Sequence, residues 1–294
     1  MTTIAARSAN AAAEAAAQDA AREEIAERSA GRKDPSKTPK PGKDGWHRFT
    51  VDVWITNFNK IEFGIYKRSR NRAKSRQFTA DMDIFAEVIE NGERTGLIGY
   101  REDLWKQKSG MDKRLVFKLF NETVNWRATM DLMVGRSLQS TIGARGLPVT
   151  SFSINTDDDN FLIYLERSAN KWPFMPENFS FFLMNDNQPE FYRLRRDLID
   201  LGGDYTLYDQ NGNVVGTLDG KVFSLGGKWY GKVKQGHADK RLMTVMKLFT
   251  GMMIFNADSR RHMKALYRDV RRGKIKPKIE RQEADLYMNP RRTR

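Results

Sequence analysis

The stretch LMTVMKLFTGMMIF, residues 242–255, carries ten Leu, Met, Val, Phe or Ile side chains and a single charge, Lys247. A helix that is apolar nearly all round must be enclosed by apolar neighbours. Fourteen residues rise only about 21 Å, short of a bilayer core of about 30 Å, so the rod belongs inside the protein. The reading predicts a buried helix over about 240–256, opened by Asp239. Gly251 costs such a helix about 1 kcal/mol relative to Ala, which points to a close packing contact or a kink. The methionines read as gap-filling core.

What could enclose it lies immediately upstream. In DYTLYDQNGNVVGTLDGKVFSLGGKWYGKVK, residues 204–234, a strand ends in Asp-Gln-Asn-Gly and a second returns over Val214–Leu218. Asp219-Gly220 then turns into a third strand from Val222, making a β-meander. Period-two alternation continues back through the chain, in Val51, Val53, Ile55, in Phe63, Ile65, in Phe152, Ile154 and in Phe161, Ile163, Leu165. Asn91-Gly92 and Asn211-Gly212 read as type I′ hairpin turns, which need positive φ at both central residues. Arg114–Phe120 and Glu190–Asp200 read equally as helix or strand.

Three pieces of the 204–234 segment, Tyr205-x-x-Tyr208-Asp209, Gly212-x-x-Val215-Gly216 and Gly220-Lys221-x-Phe223-Ser224-Leu225-Gly226, resemble the strand repeat of the LURP-one-related family in the tubby C-terminal-like superfamily. The resemblance implies a mainly β fold, a barrel of about twelve strands around a buried hydrophobic helix near the C-terminus, with the 242–255 run as that helix. Lys247 within the helix, a first half without so clear a repeat, and basic flanks depart from the pattern. The expected organisation is an Ala-rich arm and Gly/Pro/Lys linker over 1–45, the barrel over 46–258, and a basic C-terminal tail over 259–294. For function the resemblance implies phosphoinositide or phospholipid contact, but no family site can be matched residue by residue.

Charge is concentrated. The chain of 294 residues has 51 Lys and Arg against 37 Asp and Glu, a formal charge of +14. Lys60–Arg76 carries +6 and Arg260–Arg294 carries +9, so the rest is nearly neutral. Residues 2–30 are Ala-rich and net −2, a helix former with little apolar area to bury. Their five carboxylates argue against a transit peptide, and no secretory signal plan opens the chain. Candidate contacts for an anionic surface are Lys67, Arg68, Arg70, Arg72, Lys74 and Arg76, then Arg260, Arg261, Lys264, Arg268, Arg271 and Arg272. Near an anionic membrane each such cation contributes about 1 kcal/mol.

Enzyme chemistry finds little to build on. There is no cysteine, which removes disulfides, thiolates and Cys-based metal sites. His47, His237 and His262 stand far apart, and no phosphate-loop or HExxH run occurs. Residues 155–166, NTDDDNFLIYLE, imitate a calcium loop but put Asn160 where Gly is needed and run into a strand, so they read as an acidic hairpin turn. Asp81/Asp83 and Glu102/Asp103 read as surface charges. No catalytic residue, metal or cofactor is expected, and no transmembrane span. The expectation is a non-enzymatic module attached to acidic phospholipid or a membrane-associated assembly, cytoplasmic or peripheral at the inner face of a membrane. The alternatives are an accessory subunit of a multi-subunit complex that wraps an acidic protein partner with its tails, and, less favoured for want of interleaved aromatics, a nucleic-acid binder.

Overall fold

The computed structural model describes residues 44–53, 82–157, 161–169, 175–185, 188–197, 203–221 and 227–288. Twelve strands make up the sheet: β1 (Trp46–Val53), β2 (Met82–Glu90), β3 (Glu93–Arg101), β4 (Val116–Asn121), β5 (Trp126–Leu132), β6 (Ser151–Thr156), β7 (Ile163–Arg167), β8 (Asn178–Asn185), β9 (Gln188–Arg196), β10 (Tyr205–Tyr208), β11 (Val214–Lys221) and β12 (Lys228–Lys234). Each pairs antiparallel with its sequence neighbours, and β12 returns to β1, closing the barrel. Closure leaves no open sheet edge. Four helices are described: α1 (Glu102–Lys106), α2 (Val134–Gly143), α3 (Lys240–Arg271) and α4 (Arg281–Met288).

The alternation seen in the sequence sets the inward face. Phe49, Val51 and Val53 of β1, Phe152 and Ile154 of β6, and Tyr192 and Leu194 of β9 are all buried, while the residues between them are more exposed or face the outer layer. An eight-stranded barrel is about filled by its own side chains; twelve strands leave a wider lumen that something must occupy. A helix of about 10–12 Å diameter is the right object. From Leu242 to Met252 every residue of α3 except Lys247 is buried. Phe249 meets Phe179 and Tyr205 edge-on at ring separations of 5.0 and 5.1 Å. Gly251 is a packing contact, since a Cβ there would sit 3.3 Å from Ile98. Lys247, the apparent misfit, donates to Glu90 of β2 at 2.9 Å, and Glu90 also accepts from Thr95 at 2.7 Å.

Several expectations change. The helix runs on to Arg271, and 281–288 is helical too, so 259–288 is not an extended tail. After Met252 its buried residues are Asn256, Ser259, Met263 and Leu266, a 3-4-3 spacing that buries one side only. That side packs on α2. Asp219-Gly220 is not a turn but lies inside β11, with Gly220 opposite Trp229. Asn211-Gly212 is not a type I′ turn: only Gly212 has positive φ, and Asp209 Oδ1 accepts the N–H groups of Asn211 and Asn213 in a longer loop. At Asn91-Gly92 both φ angles are positive, as a type I′ turn needs. The two ambiguous segments are strands, β4 and β9. The acidic turn joins β6 to β7, its Asp157 bound to Arg127 and Lys240. Ile55, Phe63, Ile65, the Ala-rich arm and residues 222–226, where the third strand of the meander is expected to start, lie outside the described residues.

Antiparallel order makes the two ends of the barrel unequal. After even-numbered strands up to β10 the connections are short. After odd-numbered strands come the long ones: 54–81, 102–115 with α1, 133–150 with α2, 168–177, 197–204 and 222–227. α3 enters at the short-connection end, after β12, and emerges among the long connections.

Two outcomes check this packing. Phe249→Ala should lower unfolding stability by about 3–5 kcal/mol in a denaturant titration. His262, against the edge of Trp105, has its pKa lowered to about 4 by burial and then by the Lys113 charge. The unfolded chain takes up that proton near 6.5, so between pH 6.5 and 4 the unfolded state binds more protons and stability should fall as pH drops, by at most about 3 kcal/mol. His262→Phe should flatten that part of the stability–pH curve.

Candidate functional site

The end where α3 emerges gathers charged side chains from strands far apart in sequence. Arg167 ends β7, Glu177 precedes β8, Arg196 ends β9 and Tyr205 begins β10, all at this rim by strand parity. Arg196 continues the lumen-facing parity of Tyr192 and Leu194. Trp229 does the same on β12, in line with buried Gly231 and Val233. α3 adds Met253, Asn256 and Arg260, successive turns of one helix face.

Glu177 is the hub. Its carboxylate accepts from Arg167 Nε, from Tyr205 Oη at 2.7 Å, and from Asn256 Nδ2 at 3.1 Å to each oxygen. Arg260 Nη1 stands 3.9 Å away. Burial pushes the Glu177 pKa up, but the Arg167 charge and these hydrogen bonds outweigh it and leave it below the ordinary carboxylate value. Tyr205 is driven well above its ordinary value by burial and by the Glu177 charge. Arg260 is lowered by its own burial and then by Arg167, with Arg196 acting the same way and Glu177 opposing.

Above this hub lies a cavity of about 350 Å³. Glu177, Tyr205 and Asn256 form its floor, Trp229 and Met253 its sides, and Arg196 and Arg260 stand at its rim. A larger depression of about 440 Å³ sits on the other side of the β7–β10 strands, but its charges balance, Arg136 and Arg193 against Glu166 and Asp209. Among the described residues the mouth cavity is unbalanced toward positive.

Beyond the cavity the same helix face carries the basic residues expected at an anionic surface. Relative to Arg260, Lys264, Arg268 and Arg271 follow at four, eight and eleven positions, within one side of the helix. All three are exposed, as are Arg261 and Arg272; Arg261 pairs with Asp258. Arg260 alone turns inward. Lys67, Arg68, Arg70, Arg72, Lys74 and Arg76 lie outside the described residues, but Val53 and Met82, the ends between which they are strung, stand at this same mouth. Glu102 and Asp103 pair with Lys106 and Arg101 at the start of α1, as surface charges do.

Nothing local in the sequence links Arg167, Glu177, Arg196 and Trp229, which lie on β7, just before β8, on β9 and on β12. Only Asn256 and Arg260, one turn apart directly after an apolar run, leave a legible trace. Among the described residues no helix is long and apolar enough to cross a membrane, and no group of three or more His, Asp or Glu could hold a metal ion. Compared with protein-family models, curated proteins and solved structures, the chain matches none.

Glu177→Gln should cost about 3–5 kcal/mol, because it strands the buried Arg167 guanidinium without its counter-charge. Thermal and denaturant unfolding check this, and Arg167→Met combined with Glu177→Gln should recover part of the loss.

Proposed function

We propose that the protein is a non-enzymatic β-barrel module that attaches to an anionic surface, with acidic phospholipid the first choice of partner. One observation carries the reading: the exposed basic face of α3 and both ends of the segment bearing Lys67–Arg76 belong to one end of the barrel. Two basic elements distant in sequence can thus meet one flat anionic surface together. The resemblance to the tubby C-terminal-like superfamily supports lipid over other anions, and the closed barrel around a buried helix is the architecture that resemblance implies. The barrel supplies a rigid body, and the helix, anchored over ten buried residues, fixes the cations at its far end. Attachment is electrostatic and therefore falls with salt, as screening shortens toward about 8 Å at physiological ionic strength.

Flotation with phosphatidylserine-containing vesicles at low salt should carry the protein, and neutral phosphatidylcholine vesicles should not. Neutralising Lys264, Arg268 and Arg271 to Gln removes about 3 kcal/mol of attraction, roughly a hundredfold in affinity. Flotation indifferent to acidic lipid and salt ends the reading. Stoichiometric co-purifying proteins would favour a complex subunit instead, and a steep salt slope on oligonucleotides without vesicle binding would favour nucleic acid.

A further inference from the structure

The cavity at the mouth is built differently from the exposed helix face, and it asks for a different ligand. Its floor is pre-formed: Glu177 and Asn256 are each more than nine-tenths buried and held by hydrogen bonds to one another and to Tyr205. Glu177 is already neutralised from behind by Arg167, so among the described residues the two rim guanidiniums, Arg196 and Arg260, bring a surplus of two positive charges. Hydrogen-bonding capacity is left over as well. Among the described residues two buried atoms here lack a hydrogen-bond partner: Arg260 Nε, a donor that a phosphate oxygen can meet, and Asn256 Oδ1, an acceptor that only a hydroxyl on the organic part of a ligand would satisfy. Buried polar atoms are otherwise satisfied almost throughout folded proteins, so orphans beside a cavity mark a place for a ligand. Trp229 and Met253 offer the same cavity an apolar wall, and about 350 Å³ falls within the range of small-molecule sites, about 300–1,000 Å³.

We infer that this cavity binds a phosphomonoester, its phosphate between Arg196 and Arg260 and its organic part against Trp229 and Met253. The charge count selects the chemistry. A carboxylate or sulfate ester leaves one positive charge uncompensated; a phosphomonoester, carrying about −1.5 to −2 at pH 7, cancels both. Guanidinium forks match phosphate oxygens in geometry as well as charge. The lowered Arg260 pKa fits the same picture, since burial beside other guanidiniums is relieved when a dianion arrives. Below about pH 6 the ligand takes up a proton and binding weakens. This inference stands apart from surface attachment, which uses Lys264, Arg268 and Arg271 and does not use Arg196.

Isothermal titration of the full chain with phenyl phosphate and with phenyl sulfate, equal in shape and different in charge, tests it. Phenyl phosphate should bind about tenfold or more tighter at pH 7.5, and Arg196→Gln should lose about tenfold or more. Arg195→Gln removes the same charge one residue away, on the outward parity of β9, and should bind as the parent does. Arg196→Lys keeps the charge without the fork and should recover only part. The K264Q/R268Q/R271Q chain, impaired on vesicles, should keep its affinity for phenyl phosphate. A short-chain phosphatidate that binds tighter than phenyl phosphate assigns the phosphate to a lipid headgroup, and the reverse order to a soluble metabolite; either supports the cavity. No binding of phenyl phosphate, equal affinity for phenyl sulfate, or equal losses in Arg195→Gln and Arg196→Gln overturns it.

Discussion

The structure depends on an exchange between one helix and twelve strands, neither of which is stable in water alone. From Leu242 to Met252 the helix has no polar side to turn outward, and a closed twelve-stranded barrel has a lumen its own side chains do not fill. Each supplies the apolar surface the other lacks, and the aromatic contacts of Phe249 and Phe255 with strands across the barrel are where they interlock. The one charge carried into the lumen, Lys247, is tolerated because Glu90 meets it from β2 and Thr95 completes the carboxylate. A buried cation without such a partner would cost several kcal/mol.

This exchange explains which parts of the fold could be read in advance. The helix was legible because ten apolar side chains in fourteen residues leave few alternatives, and the strands because alternation survives wherever one face is buried. Turns were less legible, since the same dipeptide serves different ends. Asn91-Gly92 makes the tight turn its φ preferences allow, but at Asn211-Gly212 the Asp209 side chain captures two backbone N–H groups and holds a wider loop. Asp219-Gly220 reads as a turn locally, yet its backbone is committed to the ladder with β12, and Asp204 accepts the Gly220 N–H. The apolar run stops at Phe255 and by itself ends the helix there, while the 256/259/263/266 spacing carries the helix on to Arg271 against α2.

The cluster at the mouth was illegible for a different reason. Arg167, Glu177, Arg196 and Tyr205 become neighbours only when β7 to β10 pair in register, and no spacing along the chain announces it. Its chemistry is long-range in origin and local in effect: a buried carboxylate satisfied by three donors, Arg167, Tyr205 and Asn256, with further guanidiniums above it.

Strand parity then decides where the charge is presented. In a barrel whose strands alternate direction, every connection after an odd-numbered strand emerges at one end. The 54–81 segment follows β1, while α3 follows β12, at the opposite end, and must cross the lumen to reach the first. About seventeen residues of helix, roughly 25 Å at the α-helical rise, carry it from Lys240 to Asn256 and through the barrel. Had the apolar run been one or two turns shorter, the helix would have ended inside and its basic face would never have reached the mouth. The length of the greasy rod and the even number of strands together bring the basic face of α3 to the end of the barrel where β1 stops and β2 starts. The C-terminal segment reinforces this by folding back, with Glu280 on Arg114 and Glu283 accepting the N–H groups of Gly135 and Arg136, which holds the emerging helix against α2.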